Sequence, residues 1–143
     1  MSDYELLNQL KKKLTISNFD NYLKLFVKIV NSEPDIVEEL ENSNQAIQFI
    51  TWSKNYGKPP SGKQIFNFWI KVENSMMYYG HGDIESPDVQ LTISESTLLK
   101  LFRGKLDAPS ASVQNKIKVI GSMFYLFTLQ NIIDLMMEIL ESN

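Results

Sequence analysis

The spacing of apolar residues changes from helical to alternating and back along this chain. Ser2 and Glu5 fit a capping box, and Tyr4, Leu7, Leu10 and Leu14 follow at helical spacing, so a first helix is expected. Ser17 and Asp20 offer the cap of a second, whose stripe is Phe19, Tyr22, Leu23, Phe26, Ile29 and Val30. Pro34 and Asp35 after Ser32 suit the first turn of a third, carried on by Ile36, Val37 and Leu40 and ended by Asn42 to Asn44. The period then shortens to two. Ala46 to Ser53 is rich in strand formers, and Tyr56 to Lys63, with its prolines and glycines, reads as a loop. Gln64 to Glu73 places Phe66, Phe68, Ile70 and Val72 on one side of a strand, with Trp69 on the mostly polar side. Met76 to Tyr79 is a further strand, Gly80 to Asp83 a turn, and Val89, Leu91 and Ile93 alternate in the next. Ser94 caps a helix with Leu98, Leu99, Leu101 and Phe102 on its apolar face and Gly104 at its stop. A loop leads to a last strand, Lys116 to Ile120, and a long apolar helix, Ser122 to Ser142. The sum is an α+β fold. Its twisted, antiparallel-rich sheet of about five strands is covered by helices on one face, with an extra N-terminal helical segment.

Composition narrows the function. The 143 residues fit a single domain, 1–143, with a helical extension over 1–25 and a core over 26–143. A net charge of −3 argues against nucleic acid, which needs a cationic face, and offers no global attraction to anionic membranes. Without cysteine there are no disulfides, thiolate nucleophiles or cysteine metal sites. No apolar run is long enough to span a bilayer, and the N-terminus lacks a signal peptide's apolar centre. The C-terminal Glu141-Ser142-Asn143 is not a peroxisomal address. These features favour the cytoplasm.

Candidate chemistry is sparse. His81, the single histidine, is read as part of a solvated turn with no patterned partners. Gly57-Lys58 and Gly104-Lys105 lack the spacing of a phosphate loop. Glu38, Glu39 and Glu41 read as a solvated helix face. Ser94 to Gly104 looks superficially like a DNA-recognition helix, but its flanking strands and the net charge oppose that. No catalytic residue, metal ligand or cofactor is assigned. The last helix carries too many apolar residues for one narrow stripe. Either several of its sides are buried, or part of it faces a cavity, a lipid or another subunit. Periodicity alone favours ordinary core.

The ordered junctions from Asp88 to Asn131 add a resemblance. Asp88 opens a strand containing Thr92-Ile93, and a leucine-rich helix ends in Gly104-Lys105-Leu106. Gln114 precedes a Lys116-Ile117-Lys118 strand, and Gly121, Met123 and Leu129-Gln130-Asn131 follow. This order resembles the sterol carrier protein type 2 family, tightly here and more loosely over Phe26 to Ile132. The resemblance implies non-catalytic binding, and transfer, of a fatty acid, fatty acyl-CoA, sterol or phospholipid in an apolar tunnel between sheet and helices. It implies tunnel residues Phe66, Phe68, Leu91, Leu98, Leu101, Phe102, Val113, Gln114, Met123, Phe124 and Phe127. The polar end of the ligand would lie near Lys105, Lys116 or Gln114, under a mobile C-terminal helix. The chain departs from the family pattern at Val113, where an aromatic is usual, at Asn115, where glycine is usual, and at Ser122, where asparagine is usual. Asn115 tolerates a left-handed backbone, so that turn survives. The alternative is an interaction or accessory subunit with a filled cavity. It would dock on itself or on an acyl-CoA enzyme through the last helix. In either case membrane contact is expected to be at most transient.

Overall fold

The structure, a computed structural model, describes residues 1–41, 43–54 and 61–143. Its elements in chain order are α1 (Asp3–Lys12), α2 (Phe19–Ser32), α3 (Pro34–Leu40), β1 (Gln45–Lys54), β2 (Ser61–Glu73), β3 (Met76–His81), β4 (Val89–Ser94), α4 (Glu95–Phe102), α5 (Ala108–Val113), β5 (Ile117–Gly121) and α6 (Phe124–Glu141). The strands form one sheet in the order β3-β2-β1-β4-β5. The β1–β4 pair is parallel and the other three are antiparallel.

Strand alternation decides which face is covered. Ile47 and Phe49 of β1, Phe68 and Ile70 of β2, Leu91 and Ile93 of β4 and Ile117 of β5 point at the helices and are buried. One apolar core joins them to Leu7 of α1, the α2 stripe, Leu98 and Phe102 of α4 and Leu140 of α6. On the other face, Trp69 packs over Gly80, where any side chain would collide with the indole. The connection from β3 to β4 passes Gln48 of that face, whose amide donates to the carbonyls of Phe68 and Gly82 at 3.1 and 3.0 Å. Its Oε1 accepts the Ile84 N–H at 2.8 Å, so Gln48 is buried although it faces away from the helices.

Local sequence explains the ends of the elements. Ser2 accepts the Glu5 N–H, as its capping position requires, and Ser94 accepts that of Thr97. The expected cap of α2 is different: its flanking residue is Asn18, which turns back to the Thr15 N–H and the Lys13 carbonyl instead of capping. The expected loop over Tyr56 to Lys63 lies outside the described residues as far as 60, and β2 already begins at Ser61. Asn42 also lies outside them. The expected turn at Gly80 starts later, since Gly80 and His81 still pair with Trp69 and Phe68. The stretch read as a loop before the last strand contains α5. Its helicity has no apolar period to announce it and rests on end chemistry. The Asp107 carboxylate accepts the Ser110 N–H at 2.9 Å, and Pro109 lies in the first turn. Asn115, at φ 61°, closes the far end as Lys116 donates to the Ala111 carbonyl.

Candidate binding groove

The family-like junctions position α5, β5 and the start of α6. Asp88 fastens β4 to β1 twice: its carboxylate accepts the Ala46 N–H at 2.7 Å, and its own N–H reaches the Ala46 carbonyl at 2.9 Å. Gly104, at φ 73°, ends α4 with Lys105 donating to the Lys100 carbonyl. A Cβ there would come within 2.5 Å of Met137 Cγ, so the glycine also lets α6 close against the end of α4. Gly121, at φ 122°, approaches β4 so closely that a Cβ would come within 2.5 Å of the Asp88 carbonyl oxygen. Gln130 is buried, accepts the Ala108 N–H at 2.7 Å and donates to Asp134 at 2.8 Å. It thereby satisfies a free donor of the first turn of α5 and ties that helix to α6.

Two adjoining cavities open along this assembly. One, of about 520 Å³, is lined by Ser112, Asn115, Ile117, Lys118, Val119 and Met123, together with Gly121. The other, of about 340 Å³, is lined by Pro109, Ser110, Val113, Gln114, Met123 and Phe127. Met123 borders both, and the Ser112 hydroxyl lies 3.7 Å from its sulfur. Both volumes are within the range of small-molecule sites.

The residues expected to line a tunnel separate into two groups. Val113, Gln114, Met123 and Phe127 meet at the smaller cavity, and Phe124 beside them is exposed. Phe68, Leu91, Leu98, Leu101 and Phe102 are fully buried between sheet and helices, and Phe66 is partly buried. Aromatic packing occupies that interior. Phe19 of α2 makes edge contacts with Phe68 and Phe102 at centroid separations of 5.4 and 5.3 Å. Phe49 and Phe68 stack at 4.4 Å, and Phe66 stacks on Phe68 at 5.1 Å. The groove residues absent from the expectation are Pro109, Ser110, Ser112, Asn115, Ile117, Lys118, Val119 and Gly121. Ser112, in the last turn of α5, and Asn115, just beyond its end, line the same cavity. Among the polar residues expected near the mouth, Lys105 and Gln114 are exposed and Lys116 is half-buried.

Other features weigh less. A groove of about 590 Å³ between α1 and α2 is lined by Leu6, Leu10, Leu25, Asn21, Lys24 and Lys28. His81 does have a partner: its Nε2 lies 2.6 Å from Asp20 Oδ1, and its ring meets the edge of Phe66. Both side chains are about half exposed, so the pair ties α2 to β3 at the surface. Among the described residues, no group of three or more acids and histidines could hold a metal ion. Among them, too, no helix is long and apolar enough to cross a membrane.

Residues 32–134 match the model of the SCP-2 sterol transfer family. The chain belongs to that family. The match to the SCP-2 family contains the whole sheet, α4, α5 and both cavities, and omits α1 and nearly all of α2. Solved SCP-2 structures share the fold. Sterol carrier protein 2 from Yarrowia lipolytica, in its apo form, is 21% identical with a TM-score of 0.59, over 79% of this chain and 88% of that one. Sterol carrier protein domain 2 of Helicoverpa armigera is 20% identical with a TM-score of 0.61, over 82% and 87%. A stereoselective inverting sec-alkylsulfatase from a Pseudomonas species is 15% identical with a TM-score of 0.53, over 67% of this chain and 14% of its own. No curated protein sequence matches the chain.

Proposed function

We propose that this protein binds, and passes on, a single lipid whose acyl chain lies in the groove between α5, β5 and the first turns of α6, with no reaction at the site. The observation that carries this reading is the meeting of Val113, Met123 and Phe127 along an open cavity within the family-matched residues. Each CH₂ withdrawn from water contributes about 0.8 kcal/mol, so a groove that shelters part of a chain needs few specific contacts. Met123 suits a wall shared by two cavities, because an unbranched thioether adapts to differently shaped apolar ligands. The polar end of a fatty acid, acyl-CoA or phospholipid would face Ser112, Asn115 and Lys118. In this reading Val113, Gln114, Met123, Phe124 and Phe127 touch the lipid, while Phe66, Phe68, Leu91, Leu98, Leu101 and Phe102 form the packed floor that holds the groove in shape.

A second reading has one observation in its favour. The packed aromatic interior suits an interaction or accessory domain that docks on itself, or on an acyl-CoA enzyme, through the exposed start of α6. Light scattering tests self-docking, since a monomer unaffected by substitution at Phe124 and Phe127 counts against it, and a pull-down that recovers no stable enzyme partner counts against the rest of this reading. For the leading reading, the protein is analysed by native mass spectrometry, with lipid extraction and titration of a fluorescent fatty acid. Co-purifying lipid or saturable binding is expected. Neither bound lipid nor displaceable probe would overturn the proposal.

A further inference from the structure

We propose that the groove between α1 and α2 is a docking site for an acidic amphipathic helix of a partner protein. The proposal goes beyond the lipid reading, since every residue lining this groove precedes the family-matched stretch 32–134. The first observation is the shape of the groove. Its volume is about 590 Å³, and Leu6 and Leu10 line it from α1, with Asn21, Lys24, Leu25 and Lys28 from α2. Leu6 and Leu10 are one turn apart, and the α2 residues follow at i, i+3, i+4 and i+7, so each helix offers one side to it. Leu7 is fully buried in the core, whereas Leu6 is 41% exposed and stands outside that core. From Asn21 to Lys28 the trough runs for about 10 Å, about two turns of a third helix. Both walls are helices that bond their backbone groups internally, so an extended segment would find no free donors or acceptors along them. A helix satisfies its own backbone and needs only side-chain contacts.

The second observation is charge. Residues 1–31 carry five lysines against three acids, although the whole chain has a net charge of −3. Two of those acids are engaged, Asp3 with Lys28 at 3.0 Å and Asp20 with His81. Lys24 takes part in no ion pair among the described residues, and Lys28 stays largely exposed beside Asp3. Both lysines border the groove one turn apart. Their aliphatic stems extend the leucine floor while their ammonium groups reach water. A helix that lays apolar residues on Leu6, Leu10 and Leu25, with acids one turn apart on its flank, matches both floor and rim. Two copies joined groove to groove would set the same lysines against one another, so the occupant is a different chain.

The test is fluorescence anisotropy of the full chain with a labelled synthetic helix of leucine, alanine and glutamate. Its leucines lie at i, i+3, i+4 and i+7, with glutamates on their flanks, and a twin peptide has lysine at every glutamate position. Saturable binding of the glutamate peptide is expected, weakening as salt is raised, with little binding of the lysine twin. Lys24→Glu with Lys28→Glu weakens binding of the glutamate peptide by about tenfold or more and makes the lysine twin the tighter ligand. Leu6→Ser weakens binding by about fivefold or more. Lys63→Glu with Lys100→Glu, in β2 and α4, changes the total charge equally and leaves binding unchanged. Urea unfolding of each variant confirms that it is folded. Equal binding of the two peptides, binding of neither, or an unchanged preference in the Lys24 and Lys28 variant overturns the proposal. Displacement of the peptide by a fatty acid whose own binding depends on Leu6 and Lys24 overturns it too, by making the groove a lipid site. So does a dimer in light scattering that the same substitutions dissolve, by making the occupant a second copy.

Discussion

Tyr22 offers a quantitative test of how α2 is clamped over the sheet. Its side chain is fully buried, and its hydroxyl donates to the Phe102 carbonyl at 2.7 Å. That carbonyl belongs to the last residue of α4, where no helical partner exists. Tyr22→Phe keeps the ring and strands a buried acceptor, at a cost of about 1–3 kcal/mol near neutral pH. Burial also pushes the phenol well above its ordinary value of 10.0, with the nearby Arg103 opposing only in part. The sign follows from linkage. The folded state keeps the proton while the unfolded chain loses it above pH 10, so the tyrosine's contribution is complete below pH 10 and declines above it. One unit higher, at about pH 11, the wild-type protein has lost about 1.4 kcal/mol that the phenylalanine variant cannot lose. Tyr4, raised by its hydrogen bond to Glu33, and Tyr79, raised by burial, titrate alike in both proteins and cancel in the difference. Urea unfolding of both proteins at about pH 8 and about pH 11 gives the two stability gaps. The gap should narrow by about 1.4 kcal/mol. A gap that is the same at both pH values would refute the buried, hydrogen-bonded phenol.

Three further outcomes follow from the same structure. Phe102→Ala removes the ring that Phe19 and Phe26 contact at 5.3 and 5.6 Å, and should cost about 3–5 kcal/mol by urea unfolding. Gly104→Ala meets both a φ of 73° and Met137 Cγ at 2.5 Å, so its thermal midpoint should fall by an amount equivalent to more than about 1 kcal/mol. Gln48→Leu leaves the Ile84 N–H without its acceptor, costing about 1–3 kcal/mol, and hydrogen exchange at Ile84 should become faster than at the amides of β1.

Much of this fold was legible because its elements announce themselves by period and by end residues. The alternation of Phe66 to Val72 and of Val89 to Ile93 fixes which side chains meet the helices, and Ser2, Ser94 and Gly104 act where their chemistry places them. The Asp88-to-Asn131 resemblance was legible for a related reason. Asp88, Gly104, Gly121 and Gln130 each close a junction, so their order encodes the fold. Helix α5 was not legible, since Ala108 and Ala111 make a short buried side without a periodic stripe and the helix depends on its two ends. The surface tie of His81 to Asp20 joins residues 61 positions apart, a distance local patterns do not span. The groove was half legible. Val113, Gln114, Met123 and Phe127 were expected at a ligand, whereas Ser112, Asn115 and Lys118 face it only through the turn of α5 and the edge of β5. Nothing in the alternation shows that Phe19 of α2 reaches Phe68 and Phe102 and fills the interior.

That separation of a packed interior from an outer groove is tested most directly by photolabelling. A fatty acid carrying a diazirine on its chain is bound to the intact protein, irradiated, and the modified residues are located by peptide mass spectrometry. The groove account predicts label on Ser112, Val113, Met123 and Phe127, competed away by unlabelled fatty acid. Competable label on Phe68, Leu101 and Phe102 instead would contradict it, by placing the lipid between sheet and helices.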